Sequence, residues 1–378
     1  MAPGMLATSR MPVASRRLRR LLLVLGAVLA PLVGAEVYFR VADPAPPQWG
    51  WRDLFQRPQE LNQLGLRGQP IAYGDDDLVV VLVGDSQVEG DACVFPIMPE
   101  RRLEHHLGLL SKRSVKVFSV GCIGYGHDQQ LLGLEEYLAR YRADAVVAWF
   151  TDANDVWNNV SAVHSGGSPA KPTFWLDAED SLCGPTARVG EPVYSRLRVL
   201  AKLQQLGAGP LDDAWDRRLP PAYVPMAAFD GPAVADWKLF ATTAAEMAKE
   251  RTPLQLGLTP PSPRTRYGIR LANLLLQRMQ ARAQAAGATF ASMVVDRPDF
   301  PLADGVYAFD TAAGKRFVRY SKERHWRGVR EVHAGIDLLM LTVKVDPFCT
   351  KDDPHFNPLA VDQIMADLAV EVAARLRR

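Results

Sequence analysis

The sequence lacks the residue patterns by which proteins hold metal ions. Its 378 residues include only seven histidines and four cysteines, namely Cys93, Cys122, Cys183 and Cys349. The cysteine spacing fits neither a zinc ribbon nor a C-x-x-C redox motif. The neighbouring His105 and His106 have no carboxylate or thiol at ligand spacing. We therefore expect no metal site.

An excess of one charge is also lacking. The formal net charge is +2 and the pI is about 8.3, so the chain has no footprint of a nucleic-acid-binding protein. The phosphate-binding order G-x-G-x-x-G is absent, which argues against a dinucleotide fold. A content of 48% hydrophobic and 23% charged residues is that of an ordinary globular protein with one large domain or two smaller ones.

The chain has no uninterrupted apolar run of the roughly 20 residues that a transmembrane helix needs. Instead, arginines at positions 16, 17, 19 and 20 precede a shorter apolar stretch at 21–35, a pattern typical of an export signal. Residues 33–35 offer small side chains for cleavage, whereas residues 37–39 would extend an uncleaved anchor. We predict that residues 1–40 form a signal peptide or an N-terminal membrane anchor. The body is then periplasmic or extracellular, where the four cysteines are compatible with disulfides or with buried thiols.

The stretch that organises the chain is a continuous aliphatic run at 78–83 followed by Gly84-Asp85-Ser86. A run without a polar face predicts a strand that is covered on both sides. Open α/β sheets bind ligands beyond the carboxyl ends of such strands. Ser86 is thus predicted to lie at the rim of a sheet, although a serine that only caps the next helix has the same pattern.

Two further strands follow, each ending in small or polar residues. The strand at 114–120 runs into the glycine-rich segment 121–126, and the strand at 144–150 ends in Thr-Asp-Ala-Asn-Asp. Helices are predicted at 96–110 and 128–141. This β-α-β-α-β order predicts a doubly wound parallel sheet in which Ser86, Gly124 and Asn154 meet at one rim.

The rest of the chain divides into segments by composition. Residues 41–77 form a lead-in segment, and residues 156–232 form an insertion whose tryptophans pack on the body or bind substrate. The predictions beyond the insertion are a helix at 233–251, a strand at 254–258, a helix at 267–286 that Gly287 stops, a strand at 288–295, a hairpin that turns at Ala313-Gly314, a strand at 338–345 and a final helix capped by Asn357.

These residues supply the parts of an acyl-transfer site. Ser86 offers a nucleophilic hydroxyl and His355, on a loop before the final helix, is the candidate base. Asp352, three residues earlier, is placed to orient the imidazole. The candidate oxyanion donors are the backbone N–H groups of Ser86 and Gly124 and the side-chain amide of Asn154.

The motifs resemble those of the SGNH (GDSL-type) hydrolases. Four blocks occur in the family's order: Gly84-Asp85-Ser86, the glycine segment 121–126, Asn154-Asp155 and Asp352-Asp353-Pro354-His355. Residues 62–68 are similar to the N-x-x-G-x-R lead-in of exported bacterial members. The resemblance covers residues 61–378. It implies that residues 78–378 form one domain, a three-layer α/β/α sandwich. The central sheet is expected to have five mostly parallel strands in a flavodoxin-like arrangement. The resemblance also implies the site roles given above and no metal or cofactor.

Two positions depart from the family's pattern. Asp152 stands two residues before Asn154, where the family has glycine, and a carboxylate there either opposes the oxyanion or contacts the substrate. Asp353 replaces the glycine of Asp-Gly-x-His and is a second candidate for orienting His355.

The resulting hypothesis is an exported serine esterase that acts on O-acyl esters. The first candidate substrate is the O-acetyl group of an envelope or extracellular polysaccharide. A polysaccharide O-acetyltransferase has the same site and differs only in the acceptor of the acyl group. The alternative of another class is a non-catalytic glycan-binding module on the same fold. A lipid-directed esterase is a third possibility, but the insertion has no long apolar stripe.

Overall fold

A computed structural model describes residues 13–42, 60–163, 171–185, 199, 215–234, 243–298, 300, 302–350 and 353–377. The chain divides into two units, of which the first comprises residues 1–46 with 191–208, and the second comprises residues 47–190 with 209–378. Helix α1 (Val13–Ala42) belongs to the first unit. Among the described residues, no helix has the length and apolar character needed to cross a bilayer.

The second unit holds the remaining elements. Its strands are β1 (Leu78–Gly84), β2 (Val115–Gly121), β3 (Ala145–Trp149), β4 (Trp175–Leu176), β5 (Leu182–Cys183), β6 (Thr289–Asp296), β7 (Gly305–Thr311), β8 (Gly314–Tyr320), β9 (Leu338–Thr342), β10 (Phe348–Thr350) and β11 (Asp353–Phe356). Its helices are α2 (Ser86–Glu89), α3 (Pro99–Leu110), α4 (His127–Leu138), α5 (Asp155–Val160), α6 (Ala244–Ala248), α7 (Pro263–Ala285), α8 (Lys322–Val332) and α9 (Pro358–Arg375).

Five of the strands form one parallel sheet in the order β2-β1-β3-β6-β9. This is the flavodoxin-like order, in which the chain reverses direction beside β1. Alternate residues of β1 enter two separate cores. Val79, Val81 and Val83 pack with residues of α4 and α7, whereas Val80 and Leu82 pack with residues of α3 and α9. The predicted three-layer α/β/α sandwich is therefore confirmed.

The strand predicted at 254–258 is wrong. Residues Gln255–Gly257 form a single 3₁₀ turn, and the chain after it pairs with the hairpin of β7 and β8. Leu258 forms a bridge with Tyr320, and the Thr259 N–H donates to the Arg319 carbonyl at 2.9 Å. A Cβ at position 257 would overlap the Tyr320 ring, so this short aliphatic run packs beneath an aromatic side chain. The fifth place in the sheet belongs to β9.

The helix predicted at 233–251 is also too long. Val234 is extended and bridges Tyr307, and the described helix there is α6, which begins after the cap residue Thr243. Residues 235–242 lie outside the described residues. The hairpin turning at Ala313-Gly314 is confirmed as β7 and β8, with Gly314 at a φ of +100°.

The predicted insertion at 156–232 is described in part. It begins within α5 and includes the small antiparallel pair of β4 and β5. Trp215 is buried, and its indole N–H donates to the Val160 carbonyl at 2.8 Å. Packing against the body is therefore the role of this tryptophan.

Candidate active site

The candidate site begins where β2, β1 and β3 end side by side. Gly84 and Gly121 are partners in the parallel ladder of β1 and β2, and β3 lies on the other side of β1. Each strand is followed directly by one of the segments that carry Ser86, Gly124 and Asn154. The topology thus places these three segments along one edge of the sheet, as their order along the chain predicts.

Ser86 is the first residue of the one-turn helix α2. Asp85 caps this helix, because its carboxylate accepts a hydrogen bond from the Gln87 N–H at 3.0 Å. Gly90 ends the helix in the left-handed region with a φ of +66°. Val88 packs so closely on the two strand ends that a Cβ at Gly121 would lie 2.8 Å from it, and one at Gly84 closer still. The glycines therefore let the helix lie directly on β1 and β2.

Asp85 connects the serine helix to the segment after β3. Besides Gln87, its carboxylate accepts hydrogen bonds from the Thr151 hydroxyl at 3.0 Å and from the Asn154 amide at 2.9 Å. Burial raises the pKa of Asp85, while these hydrogen bonds and the nearby His355 act in the opposite direction. The Asn154 amide has two N–H groups, and Asp85 uses one of them.

The glycine segment after β2 turns sharply at Gly124, which has a φ of +70°. Glycine adopts this left-handed conformation without steric cost. The turn is closed by a hydrogen bond from the Tyr125 N–H to the Cys122 carbonyl at 3.1 Å. Glu89, at the end of α2, accepts a hydrogen bond from the Ile123 N–H at 2.6 Å. The serine helix and the glycine segment are therefore linked directly.

His355 lies in β11, which pairs antiparallel with β10, so the loop predicted before α9 is instead a short strand. The next residue, Phe356, donates its N–H to the side-chain oxygen of Gln87 at 3.3 Å. The half-buried His355 lies close enough to Asp85 to influence its pKa. Asn357 caps α9 as predicted, by accepting the Leu359 and Ala360 N–H groups at 3.0 Å each. The structure thus brings the strand of His355 against the helix of Ser86.

Asp352, the predicted partner of His355, lies outside the described residues. The second candidate, Asp353, is the first residue of β11.

A second histidine and carboxylate pair was not predicted from sequence. Asp152, whose role the sequence leaves open, has a carboxylate oxygen 2.9 Å from Nε2 of His325 in α8. The two residues are 173 positions apart, and no local motif joins them. The departure of Asp152 from the family's glycine is the signal that points to this position.

The segment at 62–68, whose sequence resembles the N-x-x-G-x-R lead-in, contacts the carboxyl end of the serine helix. The Arg67 guanidinium is buried and donates to the carbonyls of Glu89, Gly90 and Cys93 at 3.1, 2.5 and 2.8 Å. Asn62 donates to the carbonyl of Ser119 in β2 at 3.1 Å. These contacts show that the segment is part of the site's support.

Buried ionisable side chains also contact the segment after β3 or lie next to those that do. Asp155 accepts the Thr151 N–H at 2.7 Å and a hydrogen bond from Gln130 at 3.2 Å. Burial, and then the charge of Asp85, raise the pKa of Asp155 well above its usual range. Burial lowers the pKa of the adjacent His127 to about 3, so this imidazole is neutral at pH 7.

No protein-family model matches the chain, and no curated protein matches it. Several solved structures do. A lipase/acylhydrolase from Enterococcus faecalis is 12% identical, with 79% of this chain and 96% of that chain covered and a TM-score of 0.35. A psychrotrophic esterase from Pseudoalteromonas sp. is 9% identical, with 79% and 99% covered and a TM-score of 0.35. A lipase from a goat rumen metagenome is 9% identical, with the same coverage and a TM-score of 0.33. Likenesses this remote add nothing to what the topology shows.

Proposed function

We propose that the protein is a serine esterase, with Ser86 as nucleophile, His355 as general base and Asp352 as the residue that orients His355. The observation that carries the proposal is the position of Asp85. Its carboxylate caps the serine helix and binds the Asn154 amide at 2.9 Å. One buried side chain thereby fixes a candidate nucleophile and a candidate oxyanion donor relative to each other.

In the proposed reaction Ser86 attacks the ester carbonyl while its hydroxyl proton passes to His355. The oxyanion accepts hydrogen bonds from the N–H groups of Ser86 and Gly124 and from the second N–H of Asn154. Collapse of the tetrahedral intermediate expels the alcohol, which takes the proton from His355. Water, activated by the same histidine, then hydrolyses the acyl-enzyme and restores the serine.

We propose further that the protein is exported and acts on O-acyl esters, with the O-acetyl groups of an envelope or extracellular polysaccharide as the first class to test. The arginines before the apolar stretch at 21–35 support export. They also support attachment to the membrane if the segment is not cleaved. An acylated carbohydrate, rather than a nucleic acid, is the expected partner.

The first experiment is intact-mass analysis after treatment with a fluorophosphonate probe. We expect one adduct on the wild-type protein, located at Ser86 by peptide mapping, and none on Ser86→Ala. His355→Ala should react at least 100-fold more slowly, since loss of a general base typically costs roughly 100- to 10,000-fold. His106→Ala, which removes an imidazole that contacts Asp362, should react like the wild type. A folded wild-type protein that forms no adduct would contradict the proposal and favour a glycan-binding module.

A second experiment separates hydrolysis from transfer. Acetate release from an acetylated glycan is measured with and without a de-acetylated acceptor glycan. Release that does not depend on the acceptor supports the esterase. Acetyl transfer to the acceptor in place of release would reassign the same site to an acyltransferase.

A further inference from the structure

Asp152 and His325 form a buried pair beside the candidate oxyanion donor. The Asp152 carboxylate lies 2.9 Å from Nε2 of His325, and the two residues are 7% and 0% exposed. The ring of His325 also packs edge-on against Phe300, with centroids 5.1 Å apart, and against Trp326, at 5.4 Å. The His325 imidazole is therefore enclosed by aromatic rings and shielded from solvent.

The partners of the two ring nitrogens of His325 assign the orientation of the pair. A carboxylate accepts hydrogen bonds, so Nε2 of His325 carries the hydrogen and donates it to Asp152 at 2.9 Å. In the neutral ring Nδ1 is then an acceptor, and the Tyr320 hydroxyl, 3.0 Å away, donates its hydrogen to it. Both ring nitrogens of the buried imidazole thereby have partners, as buried polar groups require.

This chain of hydrogen bonds connects the segment after β3 to elements far away in sequence. Tyr320 ends β8 and His325 lies in α8, whereas Asp152 is two residues before Asn154. Asp85 holds Thr151 and Asn154 of the same segment from the side of α2. The segment is therefore held in two ways. The carboxylate of Asp85 accepts hydrogen bonds from it, and its own carboxylate, that of Asp152, accepts one from His325.

We infer that Asp152 is a positioning residue, which fixes the Asn154 amide through its bond to His325. The inference rests on the proposed function, because it assigns a task within the oxyanion site. It also accounts for a carboxylate at a position where a free charge would oppose the oxyanion. The charge of Asp152 is directed to the N–H of His325 rather than to the reacting atoms.

The test compares variants that keep the hydrogen bond with variants that lose it. Asp152→Asn keeps an acceptor and His325→Gln keeps a donor, so both should retain kcat within about 3-fold. Asp152→Ala and His325→Phe should lower kcat by roughly 10- to 100-fold with KM nearly unchanged, the loss typical of a displaced catalytic group. The double variant Asp152→Ala/His325→Phe should have a kcat no lower than that of the slower single variant, because the two substitutions remove the same interaction.

His333→Phe is the matched control. His333 is another buried histidine, 2.9 Å from the Ser292 hydroxyl and 2.7 Å from the Val329 carbonyl. Within the described part of the chain its ring contacts Phe150 edge-on, with centroids 5.0 Å apart, but it forms no hydrogen bond with residues 151–154, and phenylalanine keeps the ring contact. This variant should lose thermal stability without losing kcat. A wild-type kcat in Asp152→Ala, or a loss of kcat in His333→Phe as large as in His325→Phe, would overturn the inference.

A readout without turnover separates this inference from the proposed function. The side-chain amide resonances of Asn154, assigned through Asn154→Ala, should shift or broaden in Asp152→Ala but not in Asp152→Asn or His333→Phe. If the wild-type protein hydrolyses no ester, the proposed function fails and these resonances still decide whether Asp152 positions Asn154. Unchanged resonances in Asp152→Ala would overturn the inference by themselves.

Discussion

At the scale of a single residue, two opposing influences act on the pKa of the Asp85 carboxyl group. Burial disfavours its charge, and hydrogen bonds from Gln87, Thr151 and Asn154 stabilise it. Because the charge is held in place by donors from two different segments, it acts as a fixed point between the serine helix and the oxyanion segment. Asp85 holds the Asn154 amide directly, whereas Asp152 is inferred to act through the segment that carries it.

Asn154→Ala tests that amide. Removing one oxyanion donor typically costs roughly 100- to 1,000-fold in kcat, and we expect a loss in this range with KM nearly unchanged. Asn154→Asp should be worse than Asn154→Ala, because its carboxylate oxygen would lie about where the amide nitrogen now lies, 2.9 Å from Asp85. The measurement is steady-state hydrolysis of a short-chain acetyl ester.

Asn273→Ala is the control for the loss of a buried asparagine side chain. Asn62→Ala is unsuitable for this purpose, because Asn62 donates a hydrogen bond to β2. Asn273 lies in α7 and binds the carbonyls of Val332 and Ala334 at 2.9 Å each. Its loss should reduce stability and leave kcat unchanged. Full activity in Asn154→Ala would remove Asn154 from the oxyanion site.

Residues at strand ends could be predicted because their positions follow from the order of the strands. The continuous aliphatic run at 78–83 and the apolar residues after Asp144 in the stretch 144–150 identified buried strands, and parallel pairing then placed the ends of β1, β2 and β3 at one edge. The partner of Asp152 could not be predicted in this way. His325 belongs to a helix outside the sheet, and only the tertiary packing of α8 brings it to Asp152.

At the scale of elements, the four-residue helix α2 cannot be stable by itself, because isolated helices shorter than about 12 residues are marginal in water. Asp85 caps its amino end, and Arg67 binds the carbonyls of Glu89, Gly90 and Cys93 at and beyond its carboxyl end. Glu60 accepts the remaining Nε hydrogen of Arg67 at 2.8 Å. The lead-in segment thus stabilises the element that carries Ser86.

Arg67→Met should therefore destabilise the protein by about 3 kcal/mol or more, since it leaves buried carbonyls and Glu60 without their donor. It should also slow fluorophosphonate labelling of Ser86 under conditions where the protein remains folded. Arg67→Lys, which supplies one of the donors, should be intermediate. Urea unfolding and the rate of adduct formation measure the two effects.

Arg327→Ala provides the control for loss of an arginine. Arg327 is largely exposed and pairs with Glu323 one helical turn away, so its removal should cost less than about 1 kcal/mol. Equal effects of Arg67→Met and Arg327→Ala would show that the buried contacts of Arg67 do not stabilise α2.

The wrongly predicted elements share a physical cause. The aliphatic run at 254–258 has the composition of a strand, yet Leu254 and Leu258 are buried under the hairpin of β7 and β8, and Leu256 packs into the core on the α4 and α7 side of the sheet. A short apolar run predicts that its side chains are buried, but it does not predict which element of the fold covers them. Likewise, the four residues of β11 form a strand only because β10 pairs with them.

At the scale of the whole molecule, the sheet separates two apolar cores, and ionisable side chains are buried together with them. Lys171 and Asp128 form an ion pair in which both side chains are almost fully buried. Burial is the main cause that raises the pKa values of Asp85, Glu100, Asp128 and Asp155. For each of these carboxyl groups, the folded state becomes less stable as the pH rises from the pKa of the group in the unfolded chain to its higher pKa in the folded protein.

Glu100 gives this effect its clearest test, because burial raises its pKa from 4.5 to about 7. Between these values the folded state holds a proton that the unfolded state has lost, so the free energy of unfolding falls as the pH rises from 4.5 to 7. The expected fall is roughly 3 kcal/mol. His127, with a pKa lowered to about 3, has the opposite effect between pH 3 and 6.5, so the wild-type curve alone does not isolate Glu100.

The comparison with Glu100→Gln removes this overlap. Glutamine does not titrate, so the unfolding free energy of the wild type minus that of the variant should decrease by about 3 kcal/mol from pH 4.5 to 7 and stay constant above about pH 8. Urea unfolding at half-unit pH steps measures this difference whatever the constant cost of losing the bonds from Gln69 and Ser119. Glu100→Leu, which also cannot titrate, should give the same slope if the glutamine variant folds poorly. Parallel curves for wild type and variant would mean that Glu100 keeps its ordinary pKa. Glu100 would then be a buried charge that the hydrogen bonds from the Gln69 and Ser119 N–H groups stabilise in full.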